Sequence, residues 1–461
     1  MKFRTTLILM AAFLALLAFV LLFESRSKGK KAAEDKLIDL SSDDVQKISL
    51  KKEDETIIFK KDDKGDWLIV EPLEAKADMY EVNRLAQDFS SLKLERVVEP
   101  EGGDPAKHEI PKKELALWYK DREQPIKLLI GLENPLDKTL FAKREDDPRI
   151  VLLPSYLKST LDKTIFDFRQ KDIFKFETQD VKSIKLRAKD ISWEAQKKEE
   201  DWYFLKPIFA LARKSRVEDM LRALSGLRAK EFVSEQKQEA DLDKCGLRDS
   251  EYSITLALPS NNQEVTFTLH KEGDKVYATT SLSSKIVEAE SQVLTDIEKK
   301  IEDLREKQVV VFNTWEAAKV QIKKADSALV VAKEKDDKWF FDSPAKEEAD
   351  KSKVETFIRK IEGLEASEFV DSPAGLEDYG LAPPQAEITI WTKHDETEKQ
   401  VQVLIGRQDE EKKQVVVKNP GLDYLFKVDS SFLNEIPSKA EDWRLAPPEE
   451  KKEEKKKEEK K

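Results

Sequence analysis

Residues 67–92 read WLIVEPLEAKADMYEVNRLAQDFSSL, and the same order returns at 202–227 as WYFLKPIFALARKSRVEDMLRALSGL and at 339–364 as WFFDSPAKEEADKSKVETFIRKIEGL. Each stretch opens on a tryptophan, with a proline five residues later (Pro72, Pro207, Pro344) and a valine fifteen residues later. From that valine an apolar stripe runs through Val82, Leu85, Ala86, Phe89 and Leu92, through Val217, Met220, Leu221, Leu224 and Leu227, and through Val354, Phe357, Ile358, Ile361 and Leu364. The spacing i, i+3, i+4, i+7, i+10 predicts a helix that buries one face. Ser215 with Glu218 and Ser352 with Glu355 read as capping boxes, and Asp78 with Glu81 as a looser version. A unit that recurs at a period near 137 residues is the signature of a tandem repeat.

Working outward from each helix, the pattern changes to period two. Ile48 to Leu50, Thr56 to Lys60 and Trp67 to Val70 read as strands, with Asp62-Asp63-Lys64-Gly65 as a turn. After the helix, Val97-Val98, Phe232-Val233 and Phe369-Val370 suggest a strand entering the same core. Leu115 to Tyr119 and Ile126 to Ile130 form a hairpin, followed by strands at Leu140 to Lys143 and Ile150 to Leu153. A short closing helix is expected at Ser155 to Lys163, with Asp429 to Glu435 in the same place later. Asp167-Phe168-Arg169, Asp303-Leu304-Arg305 and Asp442-Trp443-Arg444 mark the unit ends, and their arginines are expected to pair across the junctions. The fold class is therefore α+β: three tandem repeats of a mostly antiparallel sheet packed with a helix, at 44–175, 176–311 and 312–445. Units of this size can each bury a core, so an open row of modules is expected.

Leu7 to Phe23 are 17 consecutive apolar residues, which Thr5 and Thr6 extend to 19. At about 1.5 Å per residue such a helix spans nearly 30 Å, the thickness of a bilayer's hydrocarbon core. The run is longer than a signal-peptide core, and Phe23-Glu24-Ser25-Arg26 offers no small-residue cleavage site. An uncleaved transmembrane anchor at 7–23 is expected, behind a cytoplasmic leader at 1–6 and before a charged linker at 24–43. A leader of six residues favours its staying in the cytoplasm, with the bulk of the chain periplasmic and the protein single-pass in the inner membrane. The chain ends, at 446–461, in Pro447-Pro448 and thirteen charged residues. Most of their i,i+4 pairs repeat one sign, so a solvated tail is expected rather than a helix.

These landmarks resemble the bacterial family named domain of unknown function 4340. Its members are similar to this chain in the N-terminal anchor, in the Trp-x4-Pro turn, and in the Ala-Asp-x-x-x-Val helix start, here Ala77-Asp78 with Val82 and Ala349-Asp350 with Val354. The family's Tyr-Gly-Leu-x-x-Pro turn is matched by Tyr379-Gly380-Leu381-Ala382-Pro383-Pro384, and its Leu-x-Gly strand ending by Leu129-Ile130-Gly131 and Leu404-Ile405-Gly406. The middle unit departs: Arg213 replaces the helix-start aspartate, Cys245-Gly246-Leu247 the turn, and His270 the strand-end glycine. The first unit lacks the Gly-Leu turn. The resemblance implies location at a membrane beside ABC-transporter components of the gliding-motility type. It implies no catalytic residues.

With 82 basic and 93 acidic residues the net charge is −11, which opposes general binding to nucleic acid. The thirteen glycines form neither a dinucleotide nor a P-loop motif, and no GxSxG or HExxH occurs. One cysteine, Cys245, excludes an internal disulfide, and His108, His270 and His394 share no ligand spacing. Cys245 reads as a half-buried small hydrophobe rather than a nucleophile. His270 reads as a surface turn, and His108 and His394 as exposed. Trp67, Trp202 and Trp339 stand at a fixed distance from the helix stripe, which favours sheet–helix anchors over ligand platforms. Asp78 and Asp350 read better as helix caps than as acidic site residues. No catalytic, cofactor or metal residue is assigned, and no cofactor is expected.

Repeated modules held at a membrane point to an extracytoplasmic interaction scaffold, accessory to an ABC-transporter complex. The alternative is a module that binds a glycan or peptide, which calls for clustered exposed aromatics such as Trp391 and Trp118 at matching strand positions. An enzyme is the least favoured reading.

Overall fold

The structure is a computed structural model, and it describes residues 36–258, 263–325, 327–334, 336–343, 346–394, 397–437 and 439–445. The expected leader, anchor and tail, with Pro344 of the third Trp-x4-Pro turn, lie outside the described residues. Among the described residues no helix is long and apolar enough to cross a membrane. The chain divides into two compact units, one up to Lys171 and one from Asp172 onward.

The first unit is one repeat. Its strands are β1 (Val45–Lys51), β2 (Thr56–Lys61), β3 (Trp67–Glu71), β4 (Ala75–Lys76), β5 (Arg96–Glu99), β6 (Lys113–Tyr119), β7 (Ile126–Glu133), β8 (Leu140–Arg144) and β9 (Ile150–Leu153). They form a single sheet in the order β4-β3-β2-β1-β6-β7-β8-β9-β5, antiparallel throughout. The chain leaves by one edge, β4, runs through the long helix Met79–Ser90, and re-enters at the opposite edge, β5. Nine strands about 4.8 Å apart would set the edges of a flat sheet roughly 38 Å apart. The twelve-residue helix covers only about 18 Å of that, so the sheet coils around it. The predicted stripe faces inward: Val82, Leu85, Ala86 and Phe89 are buried against Ile48, Phe59, Trp67, Leu117 and Leu128.

The second and third repeats reproduce this plan. Each has a nine-stranded sheet with the same strand order, wrapped on a long helix at Lys214–Ser225 or Lys351–Glu362. Trp67, Trp202 and Trp339 are each 1% exposed, as core anchors should be. Trp67 also donates from Nε1 to Oδ1 of Asn83 on the long helix, at 2.8 Å. The closing segment is two short helices, Leu157–Leu161 and Ile165–Phe168, where one was expected. Its last apolar residue is buried in each repeat (Phe168, Leu304, Trp443), and its carbonyl accepts from the amide at the long helix's N-cap. Those three bonds, to Asp78, Arg213 and Asp350, are each 2.7 Å.

Two expectations are corrected. Asp78 and Asp350 are helix N-caps as expected, but the second and third helices are capped two residues before the boxes read at Ser215 and Ser352, at Arg213 and Asp350. Asp350 accepts from the amides of Ser352 and Lys353, whereas Arg213 makes no side-chain cap bond. The linker expected at 24–43 is partly fold: Leu37 and Ile38 are buried, and the Leu37 amide bonds the Leu92 carbonyl at 2.8 Å. The segments entering the later repeats do the same, Ile173 to Leu227 and Val309 to Leu364.

The second and third repeats are also not independent beads. One continuous hydrophobic cluster runs through both. At their joint Arg305, 3% exposed, sets its guanidinium 3.7 Å from the ring centre of Phe369 and 4.1 Å from that of Tyr424. Its Nη1 lies 2.6 Å from the Asp371 carboxylate, and the Tyr424 hydroxyl accepts from the Leu211 amide. Here the junction pairing expected of these arginines is present. At the end of the third repeat Arg444 is instead paired within its own repeat, to Glu347 at 2.8 Å. Glu347 and Glu348 stand where the second repeat has Ala210 and Leu211, so acidic groups replace the apolar joint surface.

Asp350→Ala should lower stability by about 1 kcal/mol, while Arg213→Asp, which supplies a cap and removes a cation from a helix N-terminus, should raise it by about 0.5–1 kcal/mol. Denaturant unfolding of the full chain checks both signs. Arg305→Ala should cost about 2–3 kcal/mol, and Arg305→Lys should recover little of it because lysine lacks the planar fork. The same unfolding measurement reads that pair.

Candidate functional site

Among the described residues no group of three or more histidine, cysteine, aspartate or glutamate side chains is placed to hold a metal ion. Cys245 is 2% exposed, packed with Leu247 and Ile286, and burial pushes its thiol up in pKa, so it stays protonated and unreactive. His270 is not in a turn. It lies within a strand, Gln263–Glu272, and is half-buried. A Cβ on Gly246, whose φ is +63°, would come within 2.4 Å of the His270 ring. In the first and third repeats the close approach is reversed: Gly131 and Gly406 face the His108 and Tyr379 carbonyls. The third repeat keeps a glycine at both positions, Gly380 and Gly406, so the middle unit's departure is the replacement of the strand glycine by His270 beside Gly246.

His108, expected to be exposed, stacks on Phe141 with ring centres 4.1 Å apart. His394 is exposed, 3.2 Å from Glu316 and edge-on to Trp315. Trp118 and Trp391 do occupy matching strand positions, but both are half-buried under a cross-strand lysine. Lys47 lies 4.6 Å from the Trp118 ring centre and Lys319 5.5 Å from that of Trp391. Each lysine covers one face of its tryptophan.

What the fold offers instead is a groove along the long helix of each repeat. In the second repeat it has a volume of about 430 Å³ and is strongly charged, with Arg216, Asp219, Asp296, Glu298 and Asp303. Glu298 accepts from Tyr252 at 2.5 Å and lies 2.8 Å from Lys189. The lysine's hydrogen bond, followed by the tyrosine's, holds the Glu298 carboxyl below the usual range. It is a fixed carboxylate rather than a proton donor. The third repeat's groove is about 440 Å³, with Lys353, Thr356, Asn434 and Glu435.

The first repeat differs. Lys163 pairs with Glu81 beside the start of its long helix, and the open groove, about 490 Å³, lies further along that helix. It is lined by Asn83, Arg84, Gln87 and Asp88 between Tyr80, 69% exposed, and Tyr156, 55% exposed. Sequence reasoning missed both tyrosines because they lie off the apolar stripe. The signal was available in the repeat alignment: Tyr80 corresponds to Ser215 and Ser352, and Tyr156 to Gln292 and Ser431.

No curated protein matches the chain. Among solved structures, a DNA polymerase sliding clamp from Pseudomonas aeruginosa with ligand aligns over 86% of this chain and 94% of its own, at 8% identity and a TM-score of 0.17. The DNA polymerase III subunit beta from the same organism aligns over 84% of this chain and 92% of its own, at 8% identity and a TM-score of 0.15. Scores that low do not establish a shared fold. The family described as "Domain of unknown function (DUF4340)" matches three times, at residues 67–249, 202–374 and 339–446. Each match opens on one of the three buried tryptophans, and together they cover most of the chain: the protein belongs to the DUF4340 family.

Proposed function

We propose that the protein is a membrane-anchored, extracytoplasmic interaction scaffold, accessory to an ABC-transporter complex. The observation that carries this reading is the tandem repeat itself. Each of the three copies of one coiled sheet, two of them locked by the buried Arg305 joint, carries a groove on its long helix, and these grooves differ in charge while the framework stays constant. Variation confined to surface on a repeated frame is what recognition of several partner faces requires. The 17-residue apolar run at Leu7 to Phe23 supports the anchor, and its short cytoplasmic leader supports placing the repeats in the periplasm. The resemblance to proteins encoded beside gliding-motility-type transporters supports the choice of partner.

Affinity capture of the tagged full chain from detergent-solubilised membranes should recover the subunits of one ABC transporter in fixed ratio. Recovery of none, from membranes in which the chain is folded, contradicts the proposal. A periplasm-dependent reporter fused after Lys461 should be active, and activity only of a cytoplasm-dependent reporter reverses the orientation.

A further inference from the structure

We propose that the groove of the first repeat, between Tyr80 and Tyr156, is a binding site for a neutral oligosaccharide. It stands on that repeat's own geometry and does not depend on the transporter reading.

The two tyrosines expose more than half of their surface although they belong to an ordered helix and its neighbouring turn. Tyr80 lies at the start of the long helix, and Tyr156 shares the groove with Asp88, which is eight residues further along. Those two helix positions lie about 12 Å apart along the axis, and the groove that both tyrosines line, about 490 Å³, has room for a short run of sugar rings. The electron-rich face of a tyrosine ring attracts the polarised C–H groups on one side of a pyranose, and its rigid side chain loses little entropy on contact.

Between the rings every lining side chain is polar, and the set matches the donor and acceptor pairs of vicinal hydroxyls. Asn83 is held in place because its Oδ1 accepts from the buried Trp67 indole at 2.8 Å, which leaves the amide nitrogen as the donor on the groove side. Asp88 is fixed by Thr160 at 3.2 Å and lies 3.8 Å from Arg84. Burial, then the charges of Asp88 and Glu95, pushes the Tyr156 hydroxyl up in pKa, so it remains a donor at neutral pH. A peptide is disfavoured because the lining holds no apolar recess for a side chain, and the groove borders a helix rather than an unpaired strand edge.

The chain supplies its own control. At the two tyrosine positions the other repeats carry Ser215 with Gln292 and Ser352 with Ser431, on the same backbone. At the positions of Arg84 and Asp88 they carry Asp219 with Ala223 and Thr356 with Lys360. The exposed aromatic pair is therefore particular to the first repeat, since the same backbone forms with small or polar side chains at those positions.

The test is binding of a panel of neutral oligosaccharides, including chitotetraose and cellotetraose, to the full chain in a detergent without a sugar headgroup, followed by NMR or calorimetry. At least one should bind, and the double variant Tyr80→Ser with Tyr156→Gln should weaken it at least tenfold. That variant takes the second repeat's residues, so its unfolding midpoint should stay unchanged, while Asn83→Ala should weaken binding separately. Failure of the whole panel, or equal binding by the folded double variant, overturns the proposal. Saturable binding of peptides in this groove in place of sugars overturns it as well.

Discussion

The structure depends on one backbone contact made three times. The carbonyl of Phe168, Leu304 or Trp443, at the far end of its repeat, accepts from the amide that opens the long helix. That amide has no partner inside the helix, so the bond satisfies an obligatory donor and also closes the repeat on itself. The side chain next to that carbonyl is buried, so the hydrogen bond is shielded from water and reinforced by packing. Once the end of the chain is pinned to the start of the helix, the sheet has little choice but to coil around it. The groove along the helix is what remains where the closing segment leaves the helix flank uncovered.

The arginine after that carbonyl shows how the same device serves two ends. Between the second and third repeats Arg305 passes into an aromatic and acidic receptor and fuses two repeats into one unit. At the third repeat Arg444 pairs with Glu347 of its own repeat, and no such receptor faces it among the described residues. The same position thus joins the second repeat to the third and is paired within the third repeat, depending on neighbouring residues.

The helix stripes, the tryptophan anchors and most strands were legible because burial imposes a period that any reader of the sequence can count. The aspartate caps at Asp78 and Asp350 were legible, whereas the serine boxes at Ser215 and Ser352 misled because they fit the capping pattern two residues further on, and Arg213 carries no capping side chain to mark the true start. Leu37 and Ile38 were hidden inside a charged stretch, with too few residues to show a period. The two-residue strand at Ala75–Lys76 gives no pattern at all. His108 was misread because its surroundings in sequence are charged, whereas its surroundings in space are Phe141 and Glu99. The groove of the first repeat belongs to another class: exposed residues obey no burial period, and Tyr80 and Tyr156 emerge only when the three copies are compared position by position.

The most direct measurement of the central claim is amide hydrogen exchange at Asp78, Arg213 and Asp350. If each repeat is one fold closed on its own helix, these three amides exchange as slowly as the buried strands of their repeat, although the first turn of a helix normally exchanges fast. Rapid exchange at all three, with the rest of each helix protected, would contradict the closure and with it the account of one fold used three times.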